Sequence, residues 1–262
     1  MLYRIIYGIL IRSVLGFSAG WAQSGASLRI AREDKTIRVA QDSNATSASG
    51  AKFIPSNPNC EEGLKLGTIF APAPYLVETL VNDTKILSNI ALLRRPNETQ
   101  EQEKLELLPG SVSFDEEKLC PSDVTKELEA LVTLIEGRTT IKGGDFRYDN
   151  ATGIGTMQGP IQLQREATED GTALSANAQS LSFDVDNDLT ILEGEVSLEA
   201  EGRSSKADRV EFDEQAGIAI LRGNPAESRK GDELVQGNVI EYFLDSNDVV
   251  VKENILASFD LP

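Results

Sequence analysis

The sequence predicts an all-β protein: a repeat-built β-jellyroll of two antiparallel sheets, solenoid-like, with a short helical insert. Two observations predict it. One short phrase recurs four times between residues 145 and 258, and apolar and polar residues alternate with period two inside each copy. The phrase is an apolar residue, any residue, an aromatic residue and usually Asp, followed by a polar turn, apolar residues and Gly. Repeats of this size are typical of repeat architectures.

Three copies of the phrase are complete and the fourth is altered. The complete copies begin at Phe146, Leu181 and Val210, and in each of them the aromatic residue precedes the glycine by 11 residues. The aromatic residues of successive copies are 35, 29 and 30 residues apart. The fourth copy begins at Ile240, has Phe243 in place of Asp, and has an asparagine in place of the glycine, one position late.

Each copy is predicted to form a β-hairpin. In the second copy Leu181 and Phe183 alternate with serines, and Val196 and Leu198 alternate with Glu and Ser, so each strand has one apolar face. The segments between the strands are rich in Asp, Asn and Gly, which favour tight turns. The recurrent glycines fall where the second strand would bend or bulge. Because a single hairpin cannot bury its apolar face, the copies must stack into two sheets around an apolar interior.

The apolar residues predicted to face this interior are the candidate site. In most proteins such a row is a packed core, and the pattern alone also allows a groove open to an apolar ligand. The row consists of Phe146, Tyr148, Ile161, Leu163, Leu181, Phe183, Val196, Leu198, Val210, Phe212, Ile218, Ile220, Ile240 and Tyr242.

The repeated phrase resembles that of the OstA-like family of lipopolysaccharide-transport proteins, which includes LptA, the ectodomain of LptC and the N-terminal domain of LptD. The resemblance covers residues 145–258, and more weakly residues 37–42, whereas residues 60–140 depart from it. It rests on the stretches Phe146–Gly159, Leu181–Gly194 and Val210–Gly223, and especially on Ala-Asp-Arg-Val-Glu-Phe-Asp at 207–213. It implies a jellyroll whose interior binds lipid acyl chains and whose sheet edges join partner jellyrolls.

The function that this resemblance implies is that of a periplasmic lipid-binding and bridging protein. Such a protein moves lipopolysaccharide or a related glycolipid toward the outer membrane, and its partners are that lipid and other jellyroll proteins. The alternative is a non-enzymatic envelope scaffold that joins jellyroll domains edge to edge without lipid. The apolar row defined above would be the lipid-binding site of the lipid-carrying protein, or the packed core of the scaffold.

The chain is expected to begin with an export signal. Residues 1–22 contain Arg4, short apolar runs and small residues at positions suited to cleavage, so we expect a cleaved signal peptide and a periplasmic protein. Arg12 interrupts the apolar run, and an uncleaved anchor is the alternative. Residues 23–59 are predicted to be a first hairpin and a flexible linker, and residues 60–262 the jellyroll.

The composition argues against several classes of function. Without Arg4 and Arg12 the chain has 23 basic and 42 acidic residues, a net charge of −19, which excludes the basic surface that nucleic acid requires. The chain has no histidine, so it lacks Ser-His and Cys-His nucleophile pairs and His-ligated zinc. We therefore expect no enzyme, no cofactor and no metal.

One acidic spacing resembles a calcium loop. Asp184, Asp186 and Asp188 alternate, with Glu195 at the twelfth position. The sixth position is Leu189, where that loop requires glycine, and strands flank it where helices are required. We interpret the segment as an ordinary hairpin turn.

The two cysteines, Cys60 and Cys120, are predicted to form a disulfide, because exported proteins seldom retain exposed free thiols. Two separate thiols are the alternative. The short helical insert is predicted for residues 121–131, where helix-start residues precede good helix formers.

The final strand is predicted to be an exposed sheet edge. No later segment follows it in this sequence, and few charged residues protect it. Residues 248–259 are therefore expected to pair by strand addition with another jellyroll or with a second copy of the chain. The residues of this partner edge are Val249, Val250, Val251 and Ile255.

Overall fold

The computed structural model describes residues 27–32, 35–54, 60, 65–95, 102–115, 117–125, 131–167, 172–187, 189–213 and 216–258. These residues form a β protein with a single 3-10 turn, Ser47–Ser49. The strands are β1 Ser27–Arg32, β2 Lys35–Gln41, β3 Lys52–Ile54, β4 Lys65–Phe70, β5 Val77–Val81, β6 Thr84–Ser88, β7 Ile90–Arg95, β8 Lys104–Leu108, β9 Ser111–Phe114, β10 Pro121–Thr125, β11 Val132–Glu136, β12 Thr139–Gly143, β13 Phe146–Asp149, β14 Ile154–Arg165, β15 Leu174–Asp184, β16 Leu189–Ala200, β17 Arg203–Asp213, β18 Ile218–Lys230, β19 Glu233–Phe243, β20 Val249–Lys252 and β21 Leu256–Ser258.

The strands form two antiparallel layers. In layer 1 the order is β1, β2, β5, β6, β11, β12 and then the C-terminal half of β14. In layer 2 the order is β3, β4, β7, β8, β13 and then the N-terminal half of β14. The two layers face each other, since a side chain added at Gly143 in layer 1 would overlap Met157 in layer 2.

Strands β14 to β19 are long enough to belong to both layers. Each adjacent pair among them has a register shift near its middle, as between Gln158 and Ile161 or between Glu193 and Val196. One half of each strand therefore pairs in layer 2 and the other half in layer 1. The last strands divide in the same way, because β20 pairs with one half of β19 and β21 with the other. We call the line of register shifts the hinge side.

The recurrent glycines lie on the hinge side, as the sequence predicts. A Cβ atom at Gly159 would overlap the backbone carbonyl group of Gln179 on the neighbouring strand. Gly194 has a φ angle of +82°, which favours glycine. In the fourth copy, where glycine is missing, Asn254 adopts a φ angle of 51° in the equivalent region. Asparagine tolerates this left-handed conformation better than most residues, so the altered copy keeps the bend.

The predicted helical insert is wrong for the part that the structure describes. Pro121–Thr125 is strand β10, which pairs with β9, and residues 126–130 lie outside the described residues. The β-branched Val124 pairs with Val112, and tertiary pairing of this kind overrides helix-start signals.

The β9–β10 hairpin forms a separate two-stranded sheet beside layer 2. A second apolar cluster lies there, formed by Phe70, Ile90, Leu92, Leu108 and Val112, with Phe114 packed against it. A disulfide joins Cys60 to Cys120 next to this hairpin. The cross-link fixes the hairpin to the β3–β4 connection, and the sequence interval between the two cysteines is 60 residues.

The predictions for the N-terminal segment fall partly on residues that the structure describes. Residues 1–26 lie outside them, so the expected export signal does too. The predicted first hairpin is β1–β2, paired from Ser27 to Ala40. The segment expected to be a flexible linker contains the 3-10 turn and β3, and it buries Ala45 and Ala51. Residues 55–59 lie outside the described residues.

Candidate functional site

The predicted inward row lies between the two layers, with two exceptions. Twelve of its residues belong to one continuous apolar core and are at most 3% exposed. They are Phe146, Tyr148, Ile161, Leu163, Leu181, Phe183, Val196, Leu198, Val210, Phe212, Ile240 and Tyr242. The inward row is therefore a buried apolar core with aromatic side chains at regular intervals, held together by dispersion contacts and burial from water.

Ile218 and Ile220 are the exceptions, and their predicted inward orientation is wrong. Both are only half-buried, whereas Ala219 and Leu221 belong to the core. Pairing with β17 explains the difference, because Ala219 lies opposite Phe212 and Leu221 lies opposite Val210. Residues 218 to 221 are all apolar, so their sequence is compatible with either alternation, and only the register with β17 decides between them.

On the side opposite the hinge, hairpin turns of layer 2 contact strand ends of layer 1. We call this the tip side. Two tyrosines of the inward row take part in these contacts. The Tyr148 hydroxyl donates to Asn150 Oδ1 at 3.0 Å, and Asn150 Nδ2 donates to the carbonyl oxygen of Ala31 in β1 at 3.1 Å. We call this Tyr–Asn–carbonyl arrangement the N-terminal clasp.

A second clasp has the same plan near the C-terminus. The Tyr242 hydroxyl donates to Asn247 Oδ1, and Asn247 Nδ2 donates to the carbonyl oxygen of Ala200 at 3.4 Å. Burial raises the pKa of both Tyr148 and Tyr242 to about 12. Both hydroxyls therefore remain protonated donors at physiological pH, and in each clasp the asparagine side chain joins the two layers by a hydrogen bond.

Ion pairs accompany the clasps on the tip side. Arg32 of β1 binds Asp186 through Nε at 2.8 Å and Nη2 at 2.6 Å. The hydrogen bond from Arg32 lowers the pKa of Asp186 below its usual range. Near the C-terminus Asp245 accepts from Arg165 at 3.2 Å and also from Arg138, and these bonds lower the pKa of Asp245. The aspartates remain charged at neutral pH, so both contacts persist.

The clasps were not predicted from the sequence. The inward row contains both tyrosines, but their hydroxyl partners Asn150 and Asn247 look like ordinary turn residues. The sequence does contain a signal for the clasps. The aromatic position is Tyr in the first and fourth copies, and each of these copies has Asn in its turn. A buried tyrosine hydroxyl requires a hydrogen-bond partner, which points to the nearest polar turn residue.

The predicted partner edge is the last strand of layer 2. Within the described residues β20 pairs only with β19, so its other side is an unpaired edge. Val249 and Val251 pack against the core, and Val250 is 44% exposed on the outer face. Ile255, just beyond β20, is 62% exposed.

In the described part of the chain, no group of three or more His, Cys, Asp or Glu side chains is placed to hold a metal ion. The described residues also include no helix with the length and apolar character needed to cross a membrane.

No protein-family model matches the chain, and no curated protein matches its sequence.

Proposed function

We propose that the protein binds the acyl chains of lipopolysaccharide or a related glycolipid between its two layers and passes the lipid across the cell envelope. The observation that supports this proposal is the continuous apolar interior, whose inward residues come from both layers along the whole repeat. The two layers share long strands on the hinge side. On the tip side, the layers are joined by contacts between turns and strand ends, made by side chains. The interior can therefore widen on the tip side while the strand ladders stay paired.

The character of the interior favours a lipid over other ligands. The twelve inward residues that lie in the core are aliphatic or aromatic, and the tyrosine hydroxyls are already bound to asparagine. An acyl chain gains about 0.8 kcal/mol for each methylene group that it removes from water. Resemblance of the repeated phrase to the OstA-like family supports the same substrate class and a periplasmic location.

The partner edge fits a role as a bridge. An unpaired β20 edge can add a strand from another jellyroll through main-chain hydrogen bonds, and specificity then comes from side chains on alternate positions. We propose another jellyroll protein of the transport bridge, or a second copy of this chain, as the partner. A proline at Val250 should weaken this association, since proline removes a donor and is tolerated mainly at unpaired positions. Partner capture by photo-crosslinking from Val251 measures it.

The test of lipid binding compares two matched substitutions. Leu198→Ser places a hydroxyl in the interior, where Leu198 is 1% exposed, and Ile220→Ser places the same group on the half-buried outer face. The full chain is expressed in a lipopolysaccharide-producing host and its organic extract is analysed by mass spectrometry. We expect lipid with the wild type and with Ile220→Ser, and reduced lipid with Leu198→Ser. Equal lipid in all three, with each variant folded by circular dichroism, would contradict an interior site.

A scaffold without lipid is the second candidate, and the dense interior favours it. The inward residues are already buried against one another, so the fold does not require a ligand to fill its core. On this alternative the edge still joins jellyrolls, and the interior serves only stability. Wild-type protein that yields no lipid by extraction but still associates through β20 would identify the scaffold.

A further inference from the structure

The inner face of layer 1 changes from apolar to polar toward its C-terminal strands. In β16 the inward residue Leu198 belongs to the apolar core. In β17 and β18 the same face carries Arg203, Ser205 and Ser228. Arg203 is 5% exposed and the two serines are at most 1% exposed. We call these three residues the polar patch, and it adjoins the apolar row directly, because Ser205 lies opposite Leu198 on one side and opposite Ser228 on the other.

Within the described residues, one edge of the Arg203 guanidinium group carries no hydrogen bond. Nη1 donates to Ser228 Oγ at 3.2 Å, and the Ser205 hydroxyl donates to the same oxygen at 2.9 Å. Nη2 lies 3.9 Å from Glu233 Oε2, which is beyond hydrogen-bond distance. Nε is buried and has no hydrogen-bond partner among the residues that the structure describes. Nε and Nη2 form the edge with which arginine binds a carboxylate or phosphate group through two parallel bonds.

Arg32 shows how the same edge is used when an acceptor is present. Its Nε and Nη2 atoms donate to the two carboxylate oxygens of Asp186, at 2.8 Å and 2.6 Å. The Arg203 side chain is more deeply buried than that of Arg32, and its ion pair with the partly exposed Glu233 is long. Burial of a charged group costs free energy unless an opposite charge pairs with it closely. The polar patch therefore presents a charge and hydrogen-bond donors that suit an oxyanion of a ligand.

The polar patch lies beside the C-terminal clasp on the tip side. Arg203 is paired with Ala200, whose carbonyl oxygen accepts the hydrogen bond from Asn247. Burial raises the pKa of Tyr242 to about 12, and the positive charge of Arg203 opposes that rise, so the two side chains are neighbours. A ligand that enters where this clasp opens would meet Arg203 at the rim and the apolar row behind it.

We propose that the polar patch binds a phosphate group of the lipid, while the acyl chains lie against the apolar row. This inference rests on the proposed function. The Nε–Nη2 edge of Arg203 can bind two phosphate oxygens, and the Ser228 hydroxyl, which accepts two hydrogen bonds, keeps its own hydrogen to donate. The burial of the patch favours a lipid over a free anion, because only the lipid offsets the loss of phosphate hydration by burying apolar groups as well.

A substitution that removes one charge tests the patch, with a matched control on the outer face. Arg203→Gln removes the charge from the patch, and Arg229→Gln removes the same charge from an exposed position on the adjacent strand. The probes are lipid A, an acylated disaccharide that carries phosphate groups, and the same lipid with its phosphate groups removed. Each is presented to the full chain in detergent micelles. Native mass spectrometry measures the dissociation constants, and circular dichroism shows whether each variant is folded.

We expect Arg203→Gln to weaken lipid A binding by about tenfold, the loss that corresponds to one hydrogen bond between charged groups. Arg229→Gln should change it by less than about twofold. The phosphate-free lipid should bind the wild type and Arg203→Gln equally. Arg203→Lys keeps the charge and loses the planar fork, so it should weaken lipid A binding by about threefold, and it replaces Arg203→Gln in the test if that variant does not fold.

Equal binding of lipid A by the wild type and Arg203→Gln would overturn the phosphate site and leave the proposed function standing. An equal loss of both lipids in Arg203→Gln would also overturn the site, since the arginine would then only support the fold. Inorganic phosphate that raises the Tm of the wild type but not of Arg203→Gln, with both lipids bound equally by the wild type, would assign the patch to a free anion instead. Absence of binding of either lipid by the wild type would overturn the proposed function, and the phosphate site with it.

Discussion

Removing one oxygen atom tests whether the C-terminal clasp stabilises the fold. Tyr242→Phe deletes the hydroxyl that donates to Asn247 Oδ1, and it leaves the ring in the core. Tyr242 and Asn247 are 0% and 2% exposed, so water cannot replace the lost partner. The lost hydrogen bond costs about 1 kcal/mol and the buried unpaired oxygen about 1 kcal/mol or more. We expect the free energy of unfolding to fall by about 2 kcal/mol.

Two measurements check this value. A loss of about 2 kcal/mol lowers Tm by about 4 to 8 °C in a domain of this size, which calorimetry resolves. The second measurement is alkaline unfolding. The folded-state pKa of Tyr242 is raised to about 12, so its stability contribution is present below the unfolded-state pKa of about 10 and is lost as pH rises toward 12. Tyr242→Phe should therefore show a shallower loss of stability between about pH 10 and 12.

Tyr148→Phe and Tyr75→Phe are the substitutions with which Tyr242→Phe is compared. Tyr148 belongs to the other clasp and should behave like Tyr242, whereas Tyr75 is half-buried and should change stability by less than about 0.5 kcal/mol. If Tyr242→Phe were no more destabilising than Tyr75→Phe, the clasp would not hold the layers together, and the reasoning about the tip side would be wrong.

Three further predictions concern the hinge, the cross-link and an ion pair. Gly159→Ala should lower the free energy of unfolding by about 3 kcal/mol, because its methyl group overlaps a backbone carbonyl. Gly202→Ala has open space around it and should lower the free energy of unfolding by about 1 kcal/mol. Urea unfolding measures both values. Reduction of Cys60 and Cys120 should lower stability by about 4 kcal/mol for a 60-residue interval, and the alkylated non-reduced chain should gain no adduct mass. The pKa of Asp245 is lowered in the folded protein, so its charged form contributes stability above the ordinary pKa of about 4. That contribution is lost as pH falls below this value. Asp245→Asn should therefore make the loss of stability in acid less steep, as acid unfolding measures.

The repeated hairpins could be predicted because their signals are local. The Asp of the phrase accepts hydrogen bonds from its own turn, as Asp184 does from the backbone of residues 186 and 187. The same role of Asp149 and Asp213 explains why the residue recurs. The glycines mark the hinge for an equally local reason, because a side chain at Gly159 or Gly194 would strain or overlap the backbone there.

Features that depend on distant partners could not be predicted in the same way. The orientation of Ile220 depends on the register between β18 and β17, and four consecutive apolar residues conceal that register. The clasps pair turn residues with Ala31 and Ala200, which are 119 and 47 residues away along the chain. Residues 60–140 depart from the phrase, and β10 pairs with β9 outside the main sheet where local signals indicate a helix.

The energetics of the two sides suggest how a stable fold can admit a lipid. Opening the tip side breaks the clasps, at about 2 kcal/mol each, and the exposed ion pairs, at about 1 kcal/mol or less each. The ladders of β14 to β19 remain intact. An acyl chain of about 14 methylene groups gains about 11 kcal/mol on leaving water, which can offset the loss of several such polar contacts. On the proposed function, lipid would thus favour an open form, and loss of the lipid would let the clasps close again. Weakening both clasps together by Tyr148→Phe and Tyr242→Phe should therefore speed lipid A uptake while lowering stability. Slower uptake by that double variant would place the opening elsewhere than on the tip side.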